Sequence, residues 1–397
     1  MNVNCPMCVE QVKAISIFEA KKALVSVGEL SREPKMGGGI GKGALEIKLM
    51  QCPKCGYIWN INFDNQKMSE AYFHGEYITP KAISKTMNAN VKFLVEKFKQ
   101  HSSKDTIYLE IAPGGCDILF ELAKFSPFCY SIDPSLTPSL LLKDCKNVSH
   151  VRDFFSYEKV VKQLKHKINF IIFRHLIEHI CEPRKFLEDV VKLLEIEGMI
   201  YIETPNMLNI IECRRFFEIR HEHCGYYEEN TLINILNDLG CELVETLHLY
   251  EGQNIGLFFK RREIPLKLEK QISLFDANLG KCFQQEIDKL ESFLNAYQNI
   301  ALYGAASHAN SLLSYLSEKN CQKIKMAIDK DERRQGTYLQ NSCIKVMKPT
   351  IENLQDIECI IMAMPLYEKV VFENELKGIF QGDIIFTSNK IIKYKQS

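Results

Sequence analysis

The sequence predicts an α/β fold built on a doubly wound parallel sheet, and three observations carry that expectation. Residues 106–135 read as strand, glycine turn, helix, second strand and a terminal acid. The alternation continues through strand-length runs at 148–155, 168–173 and 199–204. Residues 299–329 then repeat strand, glycine turn, helix, strand and acid, which points to a second α/β unit.

In the first stretch, Ile107 to Ile111 form a short apolar run holding one acid, Glu110, and Pro113-Gly114-Gly115 break it. Ile118, Leu119, Leu122 and Ala123 follow at helical spacing, then Phe128 to Ile132 form a strand closed by Asp133. In such sheets a ligand sits beyond the carboxyl ends of the strands, and an acid after the second strand commonly takes ribose hydroxyls. The turn lacks the three-glycine spacing of a dinucleotide site, and Glu110 beside it disfavours a pyrophosphate, which prefers bare amides at a helix N-terminus. Two acids around a lax turn suit a ligand that is cationic at one end and a ribonucleoside at the other. S-adenosylmethionine is such a ligand; another nucleotide remains the alternative.

The 397 residues leave room for two or three domains, and 50 basic against 50 acidic side chains give no global field toward nucleic acid or an anionic membrane. The start MNVNCPMC has no secretory pattern, and no apolar run approaches the length of a bilayer span. Fifteen cysteines in a chain of this size suggest reduced thiols, so a cytoplasmic enzyme with no membrane partner is expected.

Four of those cysteines differ from the rest. Cys5 and Cys8 in CPMC, and Cys52 and Cys55 in CPKCGY, form two knuckle-like pairs, which together predict a closed tetrahedral site for structural Zn2+. A redox couple or chance spacing is the alternative. Between the knuckles, Met36 to Gly43 imitate a phosphate loop, but no Ser or Thr follows Lys42 and no strand precedes it. That interval also lacks the dense basic and aromatic interleaving of a nucleic-acid binder.

Residues 69–77, SEAYFHGEY, place Tyr72 and Tyr77 before a helix marked by Met87, Val91, Leu94, Val95 and Phe98. Either tyrosine could reach a substrate or fill an interface. Beyond Asp133, Phe154 is a candidate to meet an adenine or to serve as core. His175, Glu178 and His179 follow the strand at 168–173 and should face the ligand edge, as a cofactor wall or as helix caps; Arg174 beside them argues against a metal. Arg220 to Tyr227, RHEHCGYY, lacks core periodicity and lies between the fifth strand and the hairpin strands at 243–250 and 254–260. It is either a surface capping cluster or the source of a base of near-neutral pKa with a carboxylate beside it.

Taken in order, CPMC with CPKCGY, LEIAPGGCD, SIDPS, RHLIEHICEP, YIETPN, RHEHCGYY, ALYGAASHANSLLSYL and AIDKDERRQGTYL resemble the bacterial sugar C-methyltransferases that modify nucleotide-linked keto-deoxysugars. The resemblance implies a class I SAM-dependent methyltransferase (Rossmann-like) core with an N-terminal zinc-binding lobe and a C-terminal Rossmann-like α/β domain. The expected parts are residues 1–80, 81–264 and 265–397. It implies Glu222 and His223 as the catalytic acid and histidine, His223 taking a proton from a sugar carbon beside a ketone, and Tyr77 near the sugar. Glu110, Ala112, Gly114, Asp133, Phe154 and His175 are the expected cofactor residues, with Arg220 and His179 toward the nucleotide-linked sugar.

Ala112, Cys116 and Arg220 depart from the family pattern, as does His308, which replaces a basic residue common in the later turn. Ala112 and Cys116 stand where glycines are usual, acceptable if their backbone angles are not left-handed. Arg220 replaces a tyrosine and would favour an anionic group or stabilise an oxyanion. An O-methyltransferase using the same base, and a non-catalytic cofactor-binding homologue, are the alternatives. In the last third, Lys267 to Tyr297 predict a long connecting helix with Leu274, Leu279, Phe283, Ile287, Leu290 and Leu294 on its apolar side. The second α/β unit beyond it is expected to clamp substrate, or only to pack.

Overall fold

A computed structural model describes residues 2–23, 31–34, 45–74, 85–264, 268–275, 278–340 and 342–395. The loop at 36–43 and Tyr77 lie outside the described residues.

Near the N-terminus, β1 (Asn2–Asn4) and β2 (Gln11–Lys13) pair as an antiparallel ribbon that carries the first knuckle. The strands β3 (Ile15–Ala23), β4 (Leu45–Gln51) and β5 (Ile58–Asn60) form an antiparallel sheet. Its fourth strand comes from far downstream, as shown below.

The central sheet contains β6 (Tyr108–Ile111), β7 (Cys129–Ile132), β8 (Val148–Val151), β9 (Ile168–Arg174) and β10 (Leu194–Pro205). These five pair in parallel, and the apolar runs of β6, β7, β9 and β10 are buried on both faces, as a covered parallel sheet requires, while β8 at the edge is half-buried. After β10 the chain returns to the lobe as β11 (Gly225–Tyr226), which pairs antiparallel with β5 and completes the lobe sheet in the order β11-β5-β4-β3. An antiparallel hairpin, β12 (Cys241–Leu249) and β13 (Asn254–Arg261), then adds to β10, giving the order β12-β13-β10-β9-β6-β7-β8. The direction of winding reverses between β6 and β9. A crevice therefore opens beyond the carboxyl ends of these two strands.

The third sheet is built from β14 (Ile300–Tyr303), β15 (Ile324–Ile328), β16 (Lys345–Met347), β17 (Cys359–Met362), β18 (Asp383–Phe386) and β19 (Ile392–Tyr394). It is ordered β16-β15-β14-β17-β18-β19 and is parallel except for β19.

Two expectations need correction. The connecting helix spans only Asn278–Leu294, with Leu279, Phe283, Ile287, Leu290 and Leu294 buried as expected, while 268–275 is not helical and leaves Leu274 exposed. Its backbone bonds go elsewhere: Ser273 O accepts from Gln51 Nε2 at 2.9 Å, Phe275 N donates to Gln51 Oε1 at 2.8 Å, and Gln271 O accepts from Asn234 Nδ2 at 2.7 Å. The third strand of the core is also shorter than predicted, ending at Val151, with Phe154 beyond it. Among the described residues, no helix is long and apolar enough to cross a membrane.

Candidate active site

Register brings the expected cofactor residues to one edge. Ile111 pairs with Ile132 on one side and Phe173 on the other, so Ala112 to Gly114, Asp133 and Arg174-His175 all emerge at the same end of the sheet. The turn there is left-handed at Gly114 (φ 54°), and equally at Ala112 (φ 55°) and Cys116 (φ 61°). The condition under which a side chain at those two positions is free of strain is therefore not met. A left-handed Cβ costs roughly 1 kcal/mol or more per residue. The surroundings hold it: Ala112 N donates to Ile132 O at 2.9 Å, Cys116 N donates to Pro113 O at 2.8 Å, and the Cys116 side chain is packed in the core.

Glu110 is 4% exposed, and one carboxyl oxygen has no hydrogen-bond partner among the described residues. Burial pushes its pKa up to about 8, against an opposing pull from Arg174. Asp133 is buried too, its pKa raised by burial, while one oxygen accepts from Ser135 N at 2.7 Å. Two under-compensated acids beside a strained turn fit a cationic ligand carrying hydroxyls. The Phe154 ring is 40% exposed, so it is not core.

Behind this edge lies a charge network that the sequence reading did not assemble. Arg174 donates to Glu203 through Nε at 2.7 Å and Nη2 at 3.3 Å, and Tyr201 OH donates to the same carboxylate at 3.1 Å. His175 holds a left-handed φ of 49°, with Nε2 3.1 Å from Glu203 and Nδ1 3.7 Å from Glu178. Burial pulls His175 toward the neutral form, but the hydrogen bonds to Glu178 and Glu203 outweigh it and push its pKa up to about 9. Its ring stays 44% exposed at the ligand edge. The one signal for Glu203 was an acid late in the apolar run MIYIET.

The Arg220–Tyr227 segment is held by the lobe. Besides the β5–β11 pairing, Asn60 N donates to Cys224 O at 2.9 Å, and His221 Nδ1 donates to Glu46 O at 3.1 Å while Nε2 accepts from Asp64 N at 3.0 Å. Gly225 is obligatory here, since a Cβ would meet Tyr57 OH at 2.1 Å. His221 is thus a strut. His223, 3% exposed, turns the other way: Nε2 lies 2.9 Å from Arg220 Nη2, and its ring stands edge-on to His179 at 4.9 Å. Burial first, then Arg220, holds its pKa well below the usual histidine value.

His179 Nδ1 lies 2.8 Å from the Glu222 carbonyl and 2.9 Å from Tyr72 OH, so Tyr72 caps this histidine. Arg220 reaches across to the helix that follows β14, Nη1 donating to Ser307 Oγ at 2.6 Å, and Glu218 meets His308 at 3.1 Å. Arg220, His179, Glu222 and His223 are therefore brought together at a seam between the two α/β units. Glu178, His179 and His223 also place ligand atoms within 4.8 Å of one another. Arg220 and the cationic His175 beside them oppose a further cation there.

In the lobe, Cys5 and Cys55 Sγ are 3.7 Å apart, Cys8 and Cys52 Sγ 3.8 Å, and all four sulfurs lie within 4.8 Å. A tetrahedron with zinc–sulfur bonds of about 2.3 Å has edges of about 3.8 Å, which the Cys5–Cys55 and Cys8–Cys52 separations match, so the cluster is compatible with that ion. The hydrogen bond with Cys52 and burial push Cys5 up to about 12, and a cation is what would let all four thiols ionise.

Residues 81–246 match the model of a methyltransferase domain, and residues 259–386 match that of a C-methyltransferase C-terminal domain. No curated protein matches. Similar solved structures include the N-methyltransferase NodS of Bradyrhizobium japonicum in complex with S-adenosyl-L-homocysteine, at 16% identity and TM-score 0.38 over 50% of this chain and 100% of that one. A SAM-dependent methyltransferase from Aquifex aeolicus is 18% identical, with TM-score 0.34 over 50% of this chain and 98% of its own. The YcgJ protein of Bacillus subtilis is 11% identical, with TM-score 0.35 over 44% and 99% respectively.

Proposed function

The chain is an S-adenosylmethionine-dependent methyltransferase of a C-methyltransferase family with a class I S-adenosylmethionine domain, and from that premise we propose that it methylates a nucleotide-activated keto-deoxysugar at a carbon beside the ketone. The observation that carries this reading is the position of His223, buried at the seam where Arg220 meets Ser307. A buried seam between a cofactor edge and a second α/β unit suits a large activated substrate.

When bound, S-adenosylmethionine supplies an electrophilic methyl on a sulfonium. Glu110 would meet its cationic end, Asp133 its ribose hydroxyls and Phe154 its adenine, with Ala112, Gly114 and His175 lining the edge. His223 takes the proton from the carbon next to the ketone, and the C–H electrons pass into an enolate. Arg220 donates to the developing oxygen anion, and the Glu222 carbonyl takes the Nδ1 hydrogen of His179, fixing that ring beside the sugar. The enolate carbon would be the acceptor of the methyl that the bound cofactor would supply, and His223 would return the sugar proton to solvent. Tyr77 completes the sugar side.

Cys5, Cys8, Cys52 and Cys55 would hold zinc with no open position, shaping the lobe and leaving the chemistry to the seam. Residues 1–80, 81–264 and 265–397 serve as lobe, methyltransferase domain, and connector with substrate clamp. None of the fifteen cysteines is joined in a disulfide, which suits a cytoplasmic enzyme.

The test is methyl transfer from labelled S-adenosylmethionine to a panel of nucleotide-linked 4-keto sugars in deuterated water, wild type beside His223→Ala. Exchange and methylation at the same carbon, both lost in the variant, are expected. Transfer without exchange would assign a hydroxyl acceptor, and cofactor binding with neither signal would leave a non-catalytic homologue.

A further inference from the structure

For a histidine to accept a proton, one ring nitrogen must present its lone pair to the substrate. A guanidinium only donates, so the 2.9 Å contact from Arg220 Nη2 makes Nε2 of His223 the acceptor and leaves the hydrogen on Nδ1. That Nδ1 is buried without a hydrogen-bond partner among the described residues. The lone pair a base needs is therefore already taken.

Arg220 is itself poorly compensated. Its nearest carboxylate, Glu218 at 3.9 Å, is shared with His308 at 3.1 Å and Arg215 at 3.7 Å. Its other firm contact is a neutral hydroxyl, Ser307, and its buried Nε has no hydrogen-bond partner among the described residues. A guanidinium with an unmet donor and a fraction of one carboxylate is primed for an anion.

We propose that Arg220 is a substrate-operated gate on His223: an anionic oxygen group of the substrate draws the guanidinium off Nε2 and uncovers the proton-accepting nitrogen. This rests on the reading of His223 as the base. The anion is either a phosphate of the diphosphate link or a carboxylate on the sugar. A substrate without it meets a masked base, so Arg220 couples recognition to proton abstraction as a specificity-determining residue.

The groups facing the ring are Arg220 and Tyr226 from its own segment, Glu178 and His179 from the turn after β9, His175 from the end of β9, and His308 from the helix Ser307–Tyr315. Among them Arg220 alone occupies a ring nitrogen by a hydrogen bond. Its departure should therefore dominate the titration of His223.

The experiment follows the ring NMR titration of His223, assigned by His223→Gln, in the full chain with inorganic pyrophosphate, with glucuronate, or with neither. In the wild type, at least one anion should raise the midpoint by about one pH unit, a tenfold change in proton affinity. Whichever anion acts identifies the source. In Arg220→Met the midpoint should start high and stay put when the anion is added. A wild-type midpoint unmoved by both anions, or an anion response retained in Arg220→Met, overturns the gate; the wild-type arm decides even if the variant does not fold. A chain that methylates no keto-sugar would remove the functional reading without altering this titration, so the two fail separately.

Discussion

Glu110 and Asp133 hold the cofactor edge in a state that costs the empty protein something. Glu110 has an ordinary value of 4.5, and burial lifts it to about 8. Its folded pKa lies above its unfolded one, so its stabilising contribution is fully present below about pH 4.5 and is lost as pH rises toward 8. At pH 7 the ligand-free acid keeps its proton, whereas a cationic ligand favours the carboxylate. Binding of S-adenosylmethionine at pH 7 should thus release close to one proton, measured by calorimetry in buffers of different ionisation enthalpy. Glu110→Gln should release none and bind roughly tenfold more weakly, the cost of about 1.4 kcal/mol; equal proton release in both proteins would rule the assignment out. The acids themselves were legible, because a strand, a turn and a terminal acid are local signals. What no local signal told was that Ala112 and Cys116 would keep a glycine's backbone angles, since tertiary packing and not propensity holds them there.

At the scale of elements, one short pairing matters most. Gly225 and Tyr226 pair with Trp59 and Ile58, directly after the knuckle that ends at Cys55. The Arg220–Tyr227 segment therefore takes its position from a strand shaped by the cysteine cluster. Cys52→Ser should lower bound zinc from one ion per chain and reduce methyl transfer roughly 10- to 100-fold, although the hydrogen bonds of Cys52 among the described residues go to Cys8, Gly56 and Tyr57 and not to the seam. Metal analysis beside the transfer assay checks this; lost zinc with full activity would disconnect lobe from site. The cysteine pairs and the core strands at 108–111, 129–132, 168–174 and 194–205 were readable from spacing and apolar runs. The connector at 268–275 was not, because its partners Gln51 and Asn234 lie outside the segment whose periodicity was being read. The contact of Arg220 with Ser307, 87 residues apart, was hidden for the same reason.

Over the whole molecule, the lobe and the third sheet share one hydrophobic core. Ile17, Phe18, Ile47 and Leu49 from the lobe join Phe283, Ile287 and Leu290 from the helix Asn278–Leu294, and Leu302 and Leu312 beyond it. Phe283, fully buried, stands edge-on to Phe18 with ring centres 5.4 Å apart. Phe283→Ala should cost about 3–5 kcal/mol and lower the denaturation midpoints of lobe and third sheet together, read as zinc release alongside circular dichroism. Separate midpoints would show two independent cores. This shared core also sets a timetable for the nascent chain. The knuckles leave the ribosome early, but the apolar face of their sheet waits for a strand at 225–226 and a helix at 278–294. At about 5–20 residues per second that wait is on the order of ten seconds or more, during which Ile17, Phe18, Ile47 and Leu49 have no cover from downstream, and chaperones, not the native fold, must keep them from one another.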